Sequence, residues 1–276
     1  MTGAGGGGPR SVRTRRAFLL IGGRLAAGVV LAGCAAAGWE IPLPAGGDGV
    51  AELTPRPRTP RPDASVESLA PGDLSLGLAA ERDPVLHVPP GLAPGQAAPL
   101  LLALHGAGGA AAGGLALLQP LTDEHGLLVL APASRGSTWD AIRDGYGPDR
   151  DLIDRALETV FSMVPVDPGR IAVAGFSDGA SYALGIGLAN GGLFRRVVAF
   201  SPGFVPAGKR TGRPDVFISH GDADDILPIG RTSRRIVPAL EDDGYDVTYR
   251  EFPGGHTVPP EVAREAVDWL GWSRSG

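Results

Sequence analysis

Short apolar runs alternate along the chain with longer segments in which apolar residues recur every three or four positions. The first pattern is typical of β-strands and the second of amphipathic helices. The predicted strands are residues 84–89, 99–105, 127–130, 170–175, 196–200, 215–219 and 246–252, and the predicted helices are residues 111–125, 151–163, 180–189, 229–243 and 259–270. This alternation predicts an α/β fold, a mostly parallel sheet flanked by helices.

The N-terminal segment follows a different pattern. A pair of arginines, Arg15 and Arg16, precedes an apolar stretch that contains a further arginine and several glycines, which makes it a poor transmembrane helix. The pair resembles a twin-arginine export signal. Leu31–Cys34 resembles a bacterial lipobox, in which the chain is cut before the cysteine and the cysteine receives lipid. We therefore expect residues 1–33 to be a signal peptide, and an uncleaved anchor or chance composition is the alternative.

Cys34 is the only cysteine of the chain and cannot form an internal disulfide. Lipidation would explain a lone thiol in an exported protein, so we expect a membrane-anchored lipoprotein at the cell surface, or a secreted protein. Residues 34–65 are rich in Gly, Ala and Pro and predict a stiff, extended linker or simple disorder. Residues 66–276 are long enough for one domain with a sizeable core.

Charge narrows the choice of partners. Residues 1–33 hold five Arg and no acid, which leaves 20 basic and 30 acidic residues in the rest of the chain. A net charge of −10 argues against nucleic acid as a partner, because binding to phosphates requires a basic face.

One pentapeptide carries the strongest chemical signal. Gly175-Phe176-Ser177-Asp178-Gly179 follows a predicted strand and precedes a predicted helix. A G-x-S-x-G sequence in that context indicates a nucleophile elbow, in which a serine on a sharp, strained turn presents its hydroxyl.

Acidic residues and a histidine follow later strands. Asp222, Asp224 and Asp225 come directly after the strand at 215–219, and His256 follows the strand at 246–252. Since ligands bind beyond the carboxyl ends of strands in open α/β sheets, these side chains are expected to meet Ser177. The order Ser, Asp, His is that of a hydrolase triad.

These motifs, together with residues 104–109 and 166–171, resemble the α/β-hydrolase superfamily, nearest its phospholipase/carboxylesterase branch and related secreted polyester-depolymerase and feruloyl-esterase members. The resemblance covers about residues 86–270. It implies Ser177 as nucleophile, His256 as general base and Asp224 as the acid, with Asp225 turned to solvent.

The resemblance also implies an oxyanion hole built from the backbone N–H groups of Ala107 and Asp178. It places Trp139 near the acyl site as a pocket wall, although a packed aromatic is the alternative. Phe176 either lines the site or packs. Residues 201–214 leave room for a loop but not for a large cap domain.

Four other histidines have structural interpretations. His105 and His220 resemble ordering residues of the family, while His87 and His125 are expected at the surface or a sheet edge. None has metal-ligand spacing, so no metal and no cofactor are predicted. The predicted function is a serine esterase acting on a small-molecule or lipid ester. Alternatives are a polymer-directed depolymerase or feruloyl-type esterase, a lysophospholipase or thioesterase, and a binding module on an inactive hydrolase fold.

Overall fold

A computed structural model describes residues 50–57, 69–93 and 95–272, in which eight strands form one sheet. The strands are β1 (Gly72–Ser75), β2 (Val85–Val88), β3 (Ala98–Leu104), β4 (Leu128–Ala131), β5 (Val166–Phe176), β6 (Arg196–Phe200), β7 (Asp215–Gly221) and β8 (Val247–Phe252). The predicted signal peptide and Cys34 lie outside the described residues.

The strands lie in the order β1-β2-β4-β3-β5-β6-β7-β8. β2 is antiparallel to both β1 and β4, and every other neighbouring pair is parallel. The prediction of a mostly parallel sheet flanked by helices is therefore confirmed. Parallel pairing also brings the carboxyl ends of β3 and β5 to β8 to one edge of the sheet.

The described helices are α1 (Ala111–His125), α2 (Asp140–Arg143), α3 (Pro148–Met163), α4 (Asp178–Ala189), α5 (Ser233–Asp242) and α6 (Pro260–Leu270), with a short 3₁₀ turn at Ile229–Arg231. Local chemistry sets several ends. Pro148 and Pro260 occupy the first turns of α3 and α6, where a missing N–H costs nothing. Gly126 and Gly271 end α1 and α6 in the left-handed conformation that glycine tolerates.

Helices cover the sheet on both faces. All seven residues of β3 are buried, and alternate side chains point to opposite faces. Leu100 and Leu102 pack with residues of α3, α4 and α5, whereas Leu101 packs with residues of α1 and α6. None of the helices in the described ranges combines the length and the hydropathy that a membrane span requires.

The structure differs from the sequence prediction at two strands. β1 was not predicted, because it is an exposed edge strand whose residues show no buried alternation. β5 begins at Val166, four residues before the predicted strand, and its register with β3 shifts between Ala98 and Leu100. The extra residues, which include Pro168 and Gly169, form an irregularity of the kind that such residues favour.

Residues 50–57, which we call the 50–57 segment, pack onto the domain although they lie within the predicted linker. Ala51 and Leu53 are buried in the main core. Asn190 accepts a hydrogen bond from Leu53 N at 2.7 Å and donates one to Ala51 O at 2.8 Å. Thr54 donates to Asp154 from both its backbone N–H and its hydroxyl, at 2.7 and 2.8 Å. Part of the predicted linker therefore packs against the domain and is hydrogen-bonded to it.

Candidate active site

Ser177 lies at the turn between β5 and α4. Its φ and ψ are 57° and −121°, a conformation that non-glycine residues rarely adopt and that stores strain. Ser177 N–H donates to Phe200 O at 2.9 Å, which ties the turn to the end of β6. The strained turn therefore presents the hydroxyl at the carboxyl edge of the sheet.

The two glycines of the pentapeptide are required by close packing. A Cβ on Gly175 would lie 2.1 Å from Gly179 O, and a Cβ on Gly179 would lie 2.4 Å from the carbonyl oxygens of Leu104 and His105. Side chains are excluded at such separations. The absence of side chains lets the start of α4 lie directly against the end of β3.

His256 joins the serine to a carboxylate. Its Nε2 lies 2.9 Å from Ser177 Oγ, and its Nδ1 lies 2.6 Å from Asp224 Oδ2. With a neutral imidazole, Nδ1–H donates to Asp224 and Nε2 accepts the Ser177 hydroxyl proton. The predicted three residues thus come together in the geometry of a nucleophile, a base and an orienting acid.

Asp224 is the one of the three candidate acids that faces His256. Its side chain is completely buried, and its Oδ1 accepts the N–H groups of Ile226 and Leu227 at 2.9 and 2.8 Å. Burial raises the pKa of Asp224, but hydrogen bonds from Leu227 and His256 outweigh burial and hold that pKa below its ordinary value. Asp225 is exposed to solvent, and Asp222 accepts the Gly254 N–H at 3.1 Å.

His220 packs behind Asp224 and binds the loop that carries it. Its Nε2 lies 2.8 Å from Leu227 O and 3.1 Å from Asp224 Oδ2, while its Nδ1 lies 2.7 Å from Ser233 Oγ. Burial lowers the pKa of His220, which favours the neutral ring. A neutral ring with its proton on Nε2 donates toward Leu227 and Asp224 and accepts from Ser233.

Two N–H groups beside Ser177 are available to an oxyanion. Ala107 lies in the exposed loop after β3, and its N–H makes no hydrogen bond to any described residue. Asp178 is the first residue of α4, so its N–H has no partner within the helix and lies at the positive end of the helix dipole. A Cβ on Gly106 would lie 3.5 Å from Ser177 Cβ, which places the loop against the serine.

The chain is similar in sequence and in fold to known hydrolases. The sequence model of the family described as Phospholipase/Carboxylesterase matches residues 142–271, which hold Ser177, Asp224 and His256. Esterase PE8 shares 26% identity and a TM-score of 0.55, over 64% of this chain and 93% of that one. The chain has the α/β-hydrolase fold.

Two further structures share this fold at lower identity. A truncated carbohydrate esterase from gut microbiota matches with 18% identity and a TM-score of 0.60, over 76% of this chain and 98% of that one. An acetyl xylan esterase from Aspergillus awamori matches with 17% identity and a TM-score of 0.56, over 73% and 98%. No curated protein sequence matched the chain. The matches support placement in the α/β-hydrolase superfamily and an enzyme of the serine-hydrolase type.

Of the two alternatives for Trp139, a pocket wall or a packed aromatic, the contacts describe the packed aromatic. The side chain is 0% exposed and lies between the rings of His105 and Tyr182, with centroid distances of 4.7 and 5.1 Å. Its indole N–H donates to His105 O at 2.8 Å. Trp139 therefore supports the loop after β3 from within the core and touches no open space.

Phe176 lies closer to the chemistry. Its ring packs on the imidazole of His256, with a centroid distance of 4.8 Å, and the residue is only partly buried. This contact places Phe176 beside the proposed base, and a role in lining the site stays a prediction.

Two residues that the sequence analysis missed contact the site. Thr138 Oγ1 donates to Asp178 Oδ2 at 2.5 Å, and Arg82 binds the loop that carries Ala107. Neither residue belongs to a motif, and each reaches the site from a loop distant in sequence. No signal in a single sequence would have indicated them.

The remaining histidines are outside the site. His87 is buried rather than superficial, because its two ring nitrogens lie 2.6 Å from Asp73 and 2.7 Å from Asp123. His125 lies 3.8 Å from Asp268 at the end of α1. Within the described ranges, no group of three or more His, Cys, Asp or Glu side chains is placed to hold a metal ion.

Proposed function

We propose that this chain is a serine esterase that hydrolyses carboxylic esters through an acyl-enzyme intermediate. The observation that carries the proposal is the continuous hydrogen-bonded series from Ser177 Oγ through His256 to the buried carboxylate of Asp224. Support also comes from the family match over residues 142–271 and from the esterases among the similar structures.

In the first half-reaction, Ser177 Oγ bonds to the acyl carbon while its proton passes to His256 Nε2. Asp224 stabilises the imidazolium that forms and keeps the ring in the required tautomer. The carbonyl oxygen becomes an anion that the N–H groups of Ala107 and Asp178 bind. Each such donor contributes about 3 kcal/mol to the transition state.

Collapse of this intermediate breaks the ester C–O bond, and His256 gives its proton to the departing alcohol. Water then attacks the acyl-Ser177 carbon and gives its proton to His256. The carboxylic acid leaves as Ser177 Oγ regains that proton. The cycle consumes one water and needs no cofactor.

The preferred substrate is an ester of low molecular mass. A second candidate is an ester on a polymer or a lipid head group, because the connection 201–214 between β6 and β7 contains no helix or strand that could form a cap. An uncovered site admits esters whose alcohol portion is large. Acyl groups on polysaccharides are a test case, since two similar structures are described as a carbohydrate esterase and an acetyl xylan esterase.

Hydrolysis of p-nitrophenyl esters from acetate to palmitate by the full-length chain tests the proposal, with Ser177→Ala as its control. We expect a Ser177-dependent rate that is highest with short acyl chains. A maximum at long chains would favour a lysophospholipase, and release of acetate from acetylated xylan would favour the polymer alternative. Equal rates for both proteins on every ester would support a binding module.

We also infer that the protein is exported and held at the cell surface by lipid on Cys34. The inference rests on the paired arginines and on Leu31–Cys34 alone. Mass spectrometry of the mature N-terminus tests it. A peptide that begins at an unmodified residue other than Cys34 would contradict it.

A further inference from the structure

We propose that Arg82 is a positioning residue that holds the oxyanion hole in its working shape, an inference that rests on the proposed esterase function. Arg82 lies in the loop before β2 and belongs to none of the hydrolase motifs. Its guanidinium nevertheless reaches two loops at the carboxyl edge of the sheet.

The guanidinium binds one carbonyl on each of these loops. Nη2 donates to Gly109 O at 2.5 Å, and Nε donates to Ser134 O at 2.5 Å. Gly109 belongs to the loop after β3, which we call the oxyanion loop (residues 105–109). Ser134 opens the segment 134–139, which we call the buttress. Arg82 therefore connects the oxyanion loop to the buttress through a planar fork that matches two acceptors.

The buttress in turn fixes both proposed oxyanion donors. Gly108 N–H donates to Ser137 O at 2.6 Å, next to Ala107. Thr138 Oγ1 donates to the carboxylate of Asp178, whose N–H is the second donor. The two N–H groups come from distant parts of the sequence, and the buttress is bonded to the chain beside each of them.

His105 strengthens the same connection. Its Nδ1–H donates to Gly106 O at 2.7 Å, and its Nε2 accepts Ser134 N–H at 3.0 Å. This pattern requires the neutral ring. Burial lowers the pKa of His105, and the charge of Arg82 lowers it further. Arg82 thus also favours the protonation state that the connection needs.

The backbone of Arg82 is held in a costly conformation. Three non-glycine residues of the described chain have a left-handed φ: Arg82 at 55°, Ser177 at 57° and Ser201 at 52°. Ser177 is the proposed nucleophile, and Ser201 follows the neighbouring strand β6. Such strain persists where the surroundings over-determine it and is concentrated at functional sites. Its presence at Arg82 is consistent with a side chain that must point in one direction.

The neighbouring Asp83 makes the loop rigid. Its carboxylate accepts N–H groups from Gly77, Leu78 and Ala79 at 2.6, 2.7 and 2.9 Å. It also accepts the hydroxyl of Ser75 at 2.5 Å. Arg82 therefore extends from a fixed base, and its two hydrogen bonds transmit that rigidity to the oxyanion loop.

Loss of this connection should affect the transition state more than substrate binding, because the oxyanion exists only in the transition state. We expect Arg82→Gln to lower kcat by about 10- to 100-fold and to change KM by less than about threefold. Arg82→Lys should fall between the wild type and Arg82→Gln, since an ammonium lacks the fork that satisfies both carbonyls.

The experiment measures kcat and KM for a p-nitrophenyl ester with full-length variants, together with the affinity for an alkyl boronic acid. Boronates form an anionic tetrahedral adduct with a nucleophilic serine, so their affinity should fall by a factor similar to that of kcat. Arg82→Gly is the second variant, because glycine relieves the strained φ and keeps a folded protein available should Arg82→Gln fail to fold.

Arg170 offers a matched control. It is also a partly buried arginine that contacts a backbone carbonyl, Ala97 O, but it lies toward the opposite edge of the sheet. We expect Arg170→Gln to keep the wild-type kcat and boronate affinity even if its thermal midpoint falls.

The results distinguish a failure of the proposed esterase function from a failure of the role proposed for Arg82. If the wild type is no faster than Ser177→Ala and forms no adduct with a fluorophosphonate probe, the proposed function fails. If the wild type is active and the Arg82 variants match Arg170→Gln in kcat and boronate affinity, the inference about Arg82 is overturned. A loss of kcat that only parallels lost stability, or an equal weakening of substrate binding, would also overturn it.

Discussion

Asp224 illustrates how single residues determine the chemistry of the site. Its Oδ1 is occupied by two backbone N–H groups, which leaves Oδ2 for His256. These bonds hold the pKa of Asp224 below its ordinary value, which favours the carboxylate form. The depressed pKa contributes stability above the unfolded pKa that is lost as pH falls through the folded pKa.

The adjacent carboxylates of Asp224 and Asp225 allow a test of which residue is the catalytic acid partner of His256. Asp224→Asn should lower kcat by about 10³- to 10⁴-fold, because an amide cannot stabilise the imidazolium and favours the wrong tautomer. Asp225→Asn, one residue away and exposed, should retain nearly the wild-type kcat. Steady-state kinetics on one ester decides between them, and a larger loss for Asp225→Asn would reassign the acid.

The residues of the site differ in how far the sequence could predict them. The sequence could single out Ser177 and His256 as candidates because a strand, a turn rich in glycine and a polar residue leave a recognisable local pattern, and their catalytic roles stay a prediction. Trp139 kept two alternatives because local sequence does not say whether an aromatic ring turns to the core or to the surface. Arg82 and Thr138 contact residues 27 and 40 positions away, which no local pattern encodes.

At the scale of elements, the 50–57 segment behaves as part of the domain. Asn190, at the end of α4, satisfies the backbone of Ala51 and Leu53, and it also donates to Ile186 O at 2.8 Å. The sequence could not predict this packing, because two small apolar residues beside prolines show no periodicity. By contrast, α1 was predicted with its observed ends because its pattern is long and Gly126 stops it.

Removal of the segment should destabilise the fold. A chain that begins at residue 66 should unfold at a lower temperature than one that begins at residue 42, since it exposes core surface and removes the hydrogen bonds of Asn190 to Leu53 and Ala51. Asn190→Ala in the longer chain should cost about 1–3 kcal/mol, because the buried Leu53 N–H loses its acceptor. Thermal and urea unfolding measure both effects. Equal stability of the two chains would show that the packing of the segment contributes nothing.

At the scale of the whole molecule, the chain is acidic, and one buried histidine lies between two of its carboxylates. His87, on β2, donates to Asp73 on β1 and to Asp123 on α1. Burial lowers the pKa of His87, but the two carboxylates outweigh burial and raise that pKa above 6.5. A raised folded pKa contributes stability that is fully present below the unfolded pKa and is lost as pH rises through the folded pKa.

The raised pKa of His87 predicts how the stability of the fold depends on pH. The free energy of unfolding lost in Asp123→Asn should be larger at about pH 6 than at about pH 9, where His87 is neutral in both proteins. Glu124→Gln, on the same helix and paired with Arg264 at the surface, is the control and should show little pH dependence. Urea unfolding of the three proteins at both pH values measures the difference. A loss that does not change with pH would show that His87 is not charged in the fold.

The hydrogen bonds between the 50–57 segment and Asn190 also affect how the domain would respond to a pull on its N-terminal side. α4 runs for 12 residues from Asp178 to Ala189, so its two ends are about 18 Å apart. If Cys34 carries lipid, residues 35–49 connect it to the 50–57 segment. Their fully extended length is at most about 50 Å. Tension on these residues would be borne by the hydrogen bonds that hold the 50–57 segment to Arg150, Asn190 and Asp154, and the length of α4 separates Asn190 from Ser177.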